Sequence, residues 1–135
     1  MTGHHLAAVD SSVVIAWQNR DEPFHARAVE MISAWPDLVM HTLNVAEVLA
    51  GLRDHDWTLF LDMMRRDGFT FHDTTAQALA RAKRDTGLRM PDACVIAVAA
   101  AHRARAVLSF DQRLLRAAHA HGFDATPVTS DADGG

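Results

Sequence analysis

Apolar residues in this chain come as short continuous runs alternating with stripes at helical spacing. Leu6-Ala7-Ala8-Val9 is an apolar run closed by Asp10, and Val13, Val14 and Ile15 follow after two serines, which predicts a strand, a turn and a helix. After the polar break Asn19-Arg20-Asp21-Glu22-Pro23, the residues Ala26, Val29, Met31, Ile32 and Trp35 are spaced as in a helix that Pro36 stops. Leu38 to His41 predicts a strand, and Asn44 begins a helical pattern of Val45, Val48, Leu49 and Leu52. Trp57, Phe60, Leu61 and Met64 line one helix face up to Gly68 and leave Leu59 and Met63 off that stripe. Phe69-Thr70-Phe71 predicts a strand, and Thr74 with Gln77 has capping-box spacing for a helix running to Gly87. Met90-Pro91-Asp92 opens the most apolar helix. Ala106 to Phe110 predicts a further strand, and Leu114, Leu115 and Ala118 a last helix ending at Gly122. An edge strand is expected over 125–128 and a frayed polar tail over 129–135.

Strands separated by helices predict an α/β layered domain with a mostly parallel sheet, because parallel neighbours require crossover connections. The length of 135 residues and a hydrophobic share of 49% suit one domain with its own core, with no repeat or linker. The single Cys94 cannot form an internal disulfide, and its apolar surroundings predict a buried thiol. The longest apolar stretch, Ala93 to Ala101, is far too short for a membrane span, and no charged and apolar leader opens the chain, so a soluble cytoplasmic protein is expected. A net charge of −4 excludes the bulk basicity of many nucleic-acid binders, so any RNA or DNA contact must be local.

The candidate chemistry lies with the acids. In a parallel α/β sheet, ligands gather outside the carboxyl ends of the strands. Asp10 and Asp111 follow strands, Asp92 begins the apolar helix, and Glu47 lies in the first turn of the helix after the second strand. Four carboxylates on one rim would repel one another unless protonated or neutralised by a cation. Oxygen-only ligands suit Mg²⁺ or Mn²⁺ better than Zn²⁺, and the chemistry favoured is phosphodiester hydrolysis. Each acid also has a structural reading. Glu47 with Asn44, and Asp92 and Asp111 singly, could be helix-start residues, and Asp10 could belong to a turn with Ser11 or Ser12.

The blocks Val9-Asp10-Ser11-Ser12, Asn44-Val45-Ala46-Glu47, Met90-Pro91-Asp92-Ala93 and Leu108-Ser109-Phe110-Asp111, in this order, resemble the motifs of the PIN domain and in particular the VapC-type toxins of type II toxin–antitoxin pairs. The resemblance runs from about Leu6 to Val128. It implies a three-layer α/β/α PIN-like domain over 1–128 with a flexible tail over 129–135. The activity it implies is a metal-dependent ribonuclease using Mg²⁺ or Mn²⁺, with Asp10, Glu47, Asp92 and Asp111 as catalytic and metal-binding residues. Asp10 and Asp92 would hold the principal ion and Asp111 would complete the site, while Glu47 would act directly or through a water. Ser12 and Ser109 match hydroxyl positions that orient an acid or a water. Some relatives carry a further acid after the last motif Asp, where this chain has Arg113. The implied partners are an RNA substrate, a cognate VapB-like antitoxin that blocks the acids with a basic side chain, and a second copy in a homodimer.

Arg89 and Arg113 flank the acidic blocks and could reach RNA phosphates; Arg116, Arg65-Arg66 and Arg81-Lys83-Arg84 could do so or remain solvated. Trp17, Leu59 and Met63 either finish the core or form a partner surface. His119 and His121 lie two apart without a cysteine pair, which gives zinc little support. No glycine-rich phosphate loop follows a strand. A phosphoacceptor domain is disfavoured because the only lysine, Lys83, falls in a helix pattern. The main rival is a catalytically inactive PIN-like module that binds RNA or an antitoxin without cutting.

Overall fold

The computed structural model describes residues 5–125. The chain builds β1 (Leu6–Val9), α1 (Ser11–Gln18), α2 (His25–Ser33), β2 (Asp37–His41) and α3 (Thr42–Ala50), then a 3-10 turn over Asp54–Asp56. It continues with α4 (Trp57–Arg66), β3 (Phe69–His72), α5 (Ala76–Thr86), α6 (Met90–Ala101), β4 (Ala106–Leu108) and α7 (Gln112–Ala120). The four strands form one sheet in the order β3-β2-β1-β4, and every pairing is parallel.

Side-chain alternation along the strands divides the core in two. Ala7, Val9, Leu38, Met40, Phe69, Ala106 and Leu108 pack with Val13, Val14, Ile32, Val45, Phe60 and Met64, residues of α1 to α4. Ala8, Val39 and Val107 face the other way and pack with Ala82, Val95, Val98, Leu114 and Ala118, from α5 to α7. A period of two along each strand therefore produces a three-layer α/β/α sandwich. Helix α6 is buried without interruption from Ala93 to Ala99, as its unbroken apolar sequence requires. By contrast, α4 buries Phe60 and Met64 and leaves Leu59 67% exposed.

Several local expectations shift. Helix α3 starts at Thr42, two residues before Asn44, because the His41 ring accepts the Leu43 N–H at 3.0 Å and caps it. Asn44 is consequently not a cap, and Glu47 lies beyond the first turn. Helix α5 is capped by Thr75, whose hydroxyl accepts the Ala78 N–H at 3.1 Å. Thr74, the expected cap, instead bonds the His41 ring at 3.0 Å. With the Leu43 N–H directed at Nδ1, the His41 proton sits on Nε2 and is donated to Thr74. Strand β4 ends at Leu108 rather than Phe110, since Ser109 and Phe110 turn their polar groups to the site described below. Trp35 lies just beyond α2. Trp17 packs partly buried against the core, with its ring 5.8 Å from Phe69 and 6.3 Å from Phe60.

Gly68, at φ +98°, joins α4 to β3 where a Cβ would lie 2.4 Å from the Pro36 carbonyl oxygen. Only glycine fits both that conformation and that approach. After α7 the chain returns beside β4, with Asp124 bridging Ala106. The rest of the expected edge strand, from residue 126, and the expected flexible tail over 129–135 lie outside the described residues. No helix among the described residues is long and apolar enough to cross a membrane.

Candidate active site

The strand order places β1 between β2 and β4, so the chain leaves β1 in one direction and later returns to its other side. The crevice at the carboxyl ends of β1 and β4 is the topological switch point, where open α/β sheets bind ligands. Asp10 stands there. Its backbone N–H joins the Leu108 carbonyl at 3.0 Å, fastening the end of β1 to the end of β4.

Asp10 occupies the residue before α1, yet its carboxylate makes no capping hydrogen bond. Instead Ser12 Oγ and Ser109 Oγ both donate to Asp10 Oδ2, at 2.7 and 2.8 Å. The carboxylate is buried, and burial raises its pKa above the ordinary 3.8. The two serines and the Ser11 N–H oppose that rise, and the negative charge of Glu47 adds to it. A buried acid gripped by two hydroxyls costs stability relative to an apolar residue, so it calls for a function.

Ser109 also accepts the Asp111 N–H at 2.9 Å, and Ser12 accepts the Phe110 N–H at 3.4 Å. Each hydroxyl thus bonds the Asp10 carboxylate and a backbone N–H of the loop after β4 at the same time. Asp111 caps α7, with Oδ1 receiving the Arg113 N–H at 2.9 Å and the Leu114 N–H at 3.4 Å. Its structural reading therefore holds alongside its position on the rim.

Asp92 lies in the first turn of α6, where the helix dipole favours an anion. Its pKa is nevertheless raised, first by partial burial and then by the charges of Asp10 and Asp111, with a smaller rise from Glu47. Arg89, exposed at the residue before α6, opposes that rise. Asp92 thus feels the charges of the other three acids and Asp10 that of Glu47, with Glu47 and Asp111 placed on α3 and at the start of α7. Arg113 enters through its backbone, with its side chain exposed.

Asn44 is the residue that sequence reasoning missed. It is fully buried, and its Nδ2 donates to Glu47 Oε1 at 3.2 Å and to the Pro91 carbonyl at 3.0 Å, tying α3 to the start of α6. Its Oδ1 is buried without a partner, an orphaned acceptor beside the acids. The signal was present in the polar residue three before Glu47, but it was read as a cap.

The donor chemistry fits a hard divalent cation: oxygen-only side chains, mutual repulsion that such an ion would relieve, and an unsatisfied amide oxygen nearby. Asp10, Asp92, Asp111 and Glu47 could hold it. Among the described residues, no three His, Cys, Asp or Glu side chains are already gathered as a metal-binding group. The acids therefore converge as a rim and would have to draw together on the ion. Cys94 lies outside this machinery, with its thiol buried and pushed up to about 11.

The PIN domain family model matches residues 7–120, a span that contains all four acids. The chain belongs to the PIN domain family. Among solved structures, this PIN domain is similar to Mycobacterium tuberculosis VapC20, described as a sarcin-ricin loop cleaving toxin, with a TM-score of 0.68 and 18% identity over 89% of this chain and 98% of that one. A toxin–antitoxin complex from Klebsiella pneumoniae matches with a TM-score of 0.63 and 20% identity over 78% of this chain and 86% of that one. PAE2754 from Pyrobaculum aerophilum matches with a TM-score of 0.55 and 19% identity over 82% and 84%. At these identities the likeness is one of fold. No curated protein sequence matches the chain.

Proposed function

We propose that this PIN domain is a metal-dependent endoribonuclease of the VapC toxin type. The observation that carries the reading is the buried Asp10 carboxylate, held by Ser12 and Ser109 at the switch point and facing the charges of Glu47 and Asp92. Membership of the family and the likeness in fold to a loop-cleaving toxin support it.

In this reading Asp10 and Asp92 would hold a Mg²⁺ or Mn²⁺ ion and Asp111 would complete the site. When bound, the ion neutralises the acids, stabilises charge on the scissile phosphate and acidifies a water. Glu47, kept in place by Asn44, accepts the proton of the attacking water. The water oxygen forms a bond to phosphorus as the bond to the 3′ oxygen breaks, and the departing 3′ oxygen takes a proton from solvent, leaving a 5′-phosphate and a 3′-hydroxyl. Arg89 and Arg113, both exposed beside the acids, bind flanking phosphates. Ser12 and Ser109 are positioning residues, because they touch Asp10 and not the reacting atoms.

The partners that follow are an RNA, a cognate VapB-like antitoxin that places a basic side chain among the acids, and a second copy of the chain in a cytoplasmic homodimer. The Klebsiella pneumoniae toxin–antitoxin complex supports the antitoxin. A second reading, a non-cleaving PIN module, has in its favour that Asp111 Oδ1 is already engaged by the Arg113 and Leu114 N–H groups as the cap of α7. The deciding experiment treats a pool of structured RNAs with the purified, antitoxin-free chain in Mg²⁺ or EDTA, beside a folded Asp92→Asn variant. Cleavage that needs both the ion and Asp92 is expected. RNA binding without cleavage in Mg²⁺ and Mn²⁺ would replace the nuclease by the binding module.

A further inference from the structure

Next to the acids lies a pocket of about 790 Å³, whose wall includes Ser109, the residue that grips Asp10. Its volume falls in the ~300–1,000 Å³ range of sites that take small organic groups. The far wall is aromatic and cationic. Phe24, at the residue before α2, stacks on Phe110 with ring centroids 4.8 Å apart and planes tilted by 30°. Phe24 is nonetheless 50% exposed, in a chain whose other phenylalanines on the strands and α4 are largely covered. Arg27 of α2 and Arg116 of α7 line the same pocket. Both are exposed, and neither has an ion-pair partner among the described residues. The one acid on this wall, Asp124, is engaged by Arg105 at 3.1 Å.

This combination is specific. An exposed aromatic face with two free guanidinium groups is what an unpaired nucleotide requires, a ring to stack on and cations for its phosphates. In a chain of net charge −4, cations in this pocket provide the local basic surface that the bulk charge lacks. Phe110 connects the pocket to the chemistry: its ring supports Phe24 while its N–H binds Ser12, which holds Asp10.

We propose that the Phe24–Phe110 pocket seats an unpaired base of the RNA strand adjoining the scissile bond, with Arg27 and Arg116 on the flanking phosphates. The inference rests on the ribonuclease reading and adds where the strand is held. A base seated here fixes the register of the strand across the acids, so the pocket is a determinant of cleavage position. Phe24, Arg27 and Arg116 bind substrate without taking part in bond breaking.

The test measures binding of a short fluorescein-labelled single-stranded RNA to the full chain in EDTA, where no cleavage is needed, followed by cleavage with Mg²⁺ or Mn²⁺. Phe24→Ala is expected to weaken binding about tenfold, and Phe24→Trp to restore it. Arg27→Gln and Arg116→Gln should each flatten the dependence of log K on log salt by about 0.7. Wild-type affinity in Phe24→Ala and both arginine variants would overturn the proposal, as would failure of the wild-type chain to bind RNA. Cleavage with KM unchanged in these variants would sink the pocket and leave the nuclease standing. The predicted binding losses without any cleavage would keep the pocket and sink the nuclease. If the variants keep RNA affinity but lose a co-expressed protein, the pocket belongs to a protein partner and the proposal fails.

Discussion

Replacing Ser109 by alanine removes one buried oxygen that serves two acids. The hydroxyl donates to Asp10 Oδ2 at 2.8 Å and accepts the Asp111 N–H at 2.9 Å, and the residue is 1% exposed, so water cannot substitute. A hydrogen bond to a charged group contributes about 1.5–3 kcal/mol and a neutral one about 0.5–1.5 kcal/mol. Ser12 still holds Asp10, so a loss of about 2–4 kcal/mol is expected, a large part of the stability of a domain this size. The loss depends on pH. Because the folded Asp10 pKa is raised, the unfolded chain ionises first, at 3.8, and native stability falls as pH rises from there through the folded value. Losing a donor raises the folded value further, so the penalty of Ser109→Ala grows with pH across that interval and is complete above it. Urea unfolding of both proteins in EDTA, from pH 3.8 to neutrality, measures this directly. In an Asp10→Asn background the penalty should shrink to about 1 kcal/mol, the value of the neutral bond. A penalty independent of pH and unchanged by Asp10→Asn would refute the view that Ser109 acts through Asp10.

Four further outcomes are expected. Asp92→Asn should lower metal-dependent cleavage by more than about a hundredfold, since even outer partners of a metal site cost about 10–100-fold. Because Asp92 is raised by burial and by Asp10 and Asp111, the same change should move the urea midpoint upward in EDTA at neutral pH; a lower midpoint would contradict the repulsive rim. Gly68→Ala should destabilise by more than ~1 kcal/mol, because its φ is +98° and the new Cβ would meet the Pro36 carbonyl oxygen; an unchanged melting temperature would count against that turn. Cys94, buried with its thiol pushed up to about 11, should resist a thiol reagent at neutral pH in the native chain and react at once in urea. Equal rates in both states would place the thiol at the surface.

Periodicity and punctuation were enough to read the layers from the chain. The seven-residue buried run of α6 could only be an interior helix once Pro91 opened it, and the short runs ending at Asp10 and His41 could only be strands with crossovers between them. Asp10 was legible for a related reason, since it closes an apolar strand where little local needs a charge, whereas Glu47, Asp92 and Asp111 each also fitted a helix start. What local pattern could not decide was which polar groups meet across long separations. Ser109 reaches Asp10 across 99 positions and Asn44 reaches Pro91 across 47, through a strand order that only the assembled sheet sets. Capping went the same way, because Thr74 and Thr75 are equivalent in sequence until His41, 33 residues from Thr74, engages one and leaves the other to the helix. Phe24 and Arg27 carried no signal at all, since an exposed aromatic and a helix arginine become a pocket only when α7 packs opposite them. Local propensity is settled within a few residues of chain, whereas a site is a set of distances, and those distances exist only after the two cores have closed on the sheet.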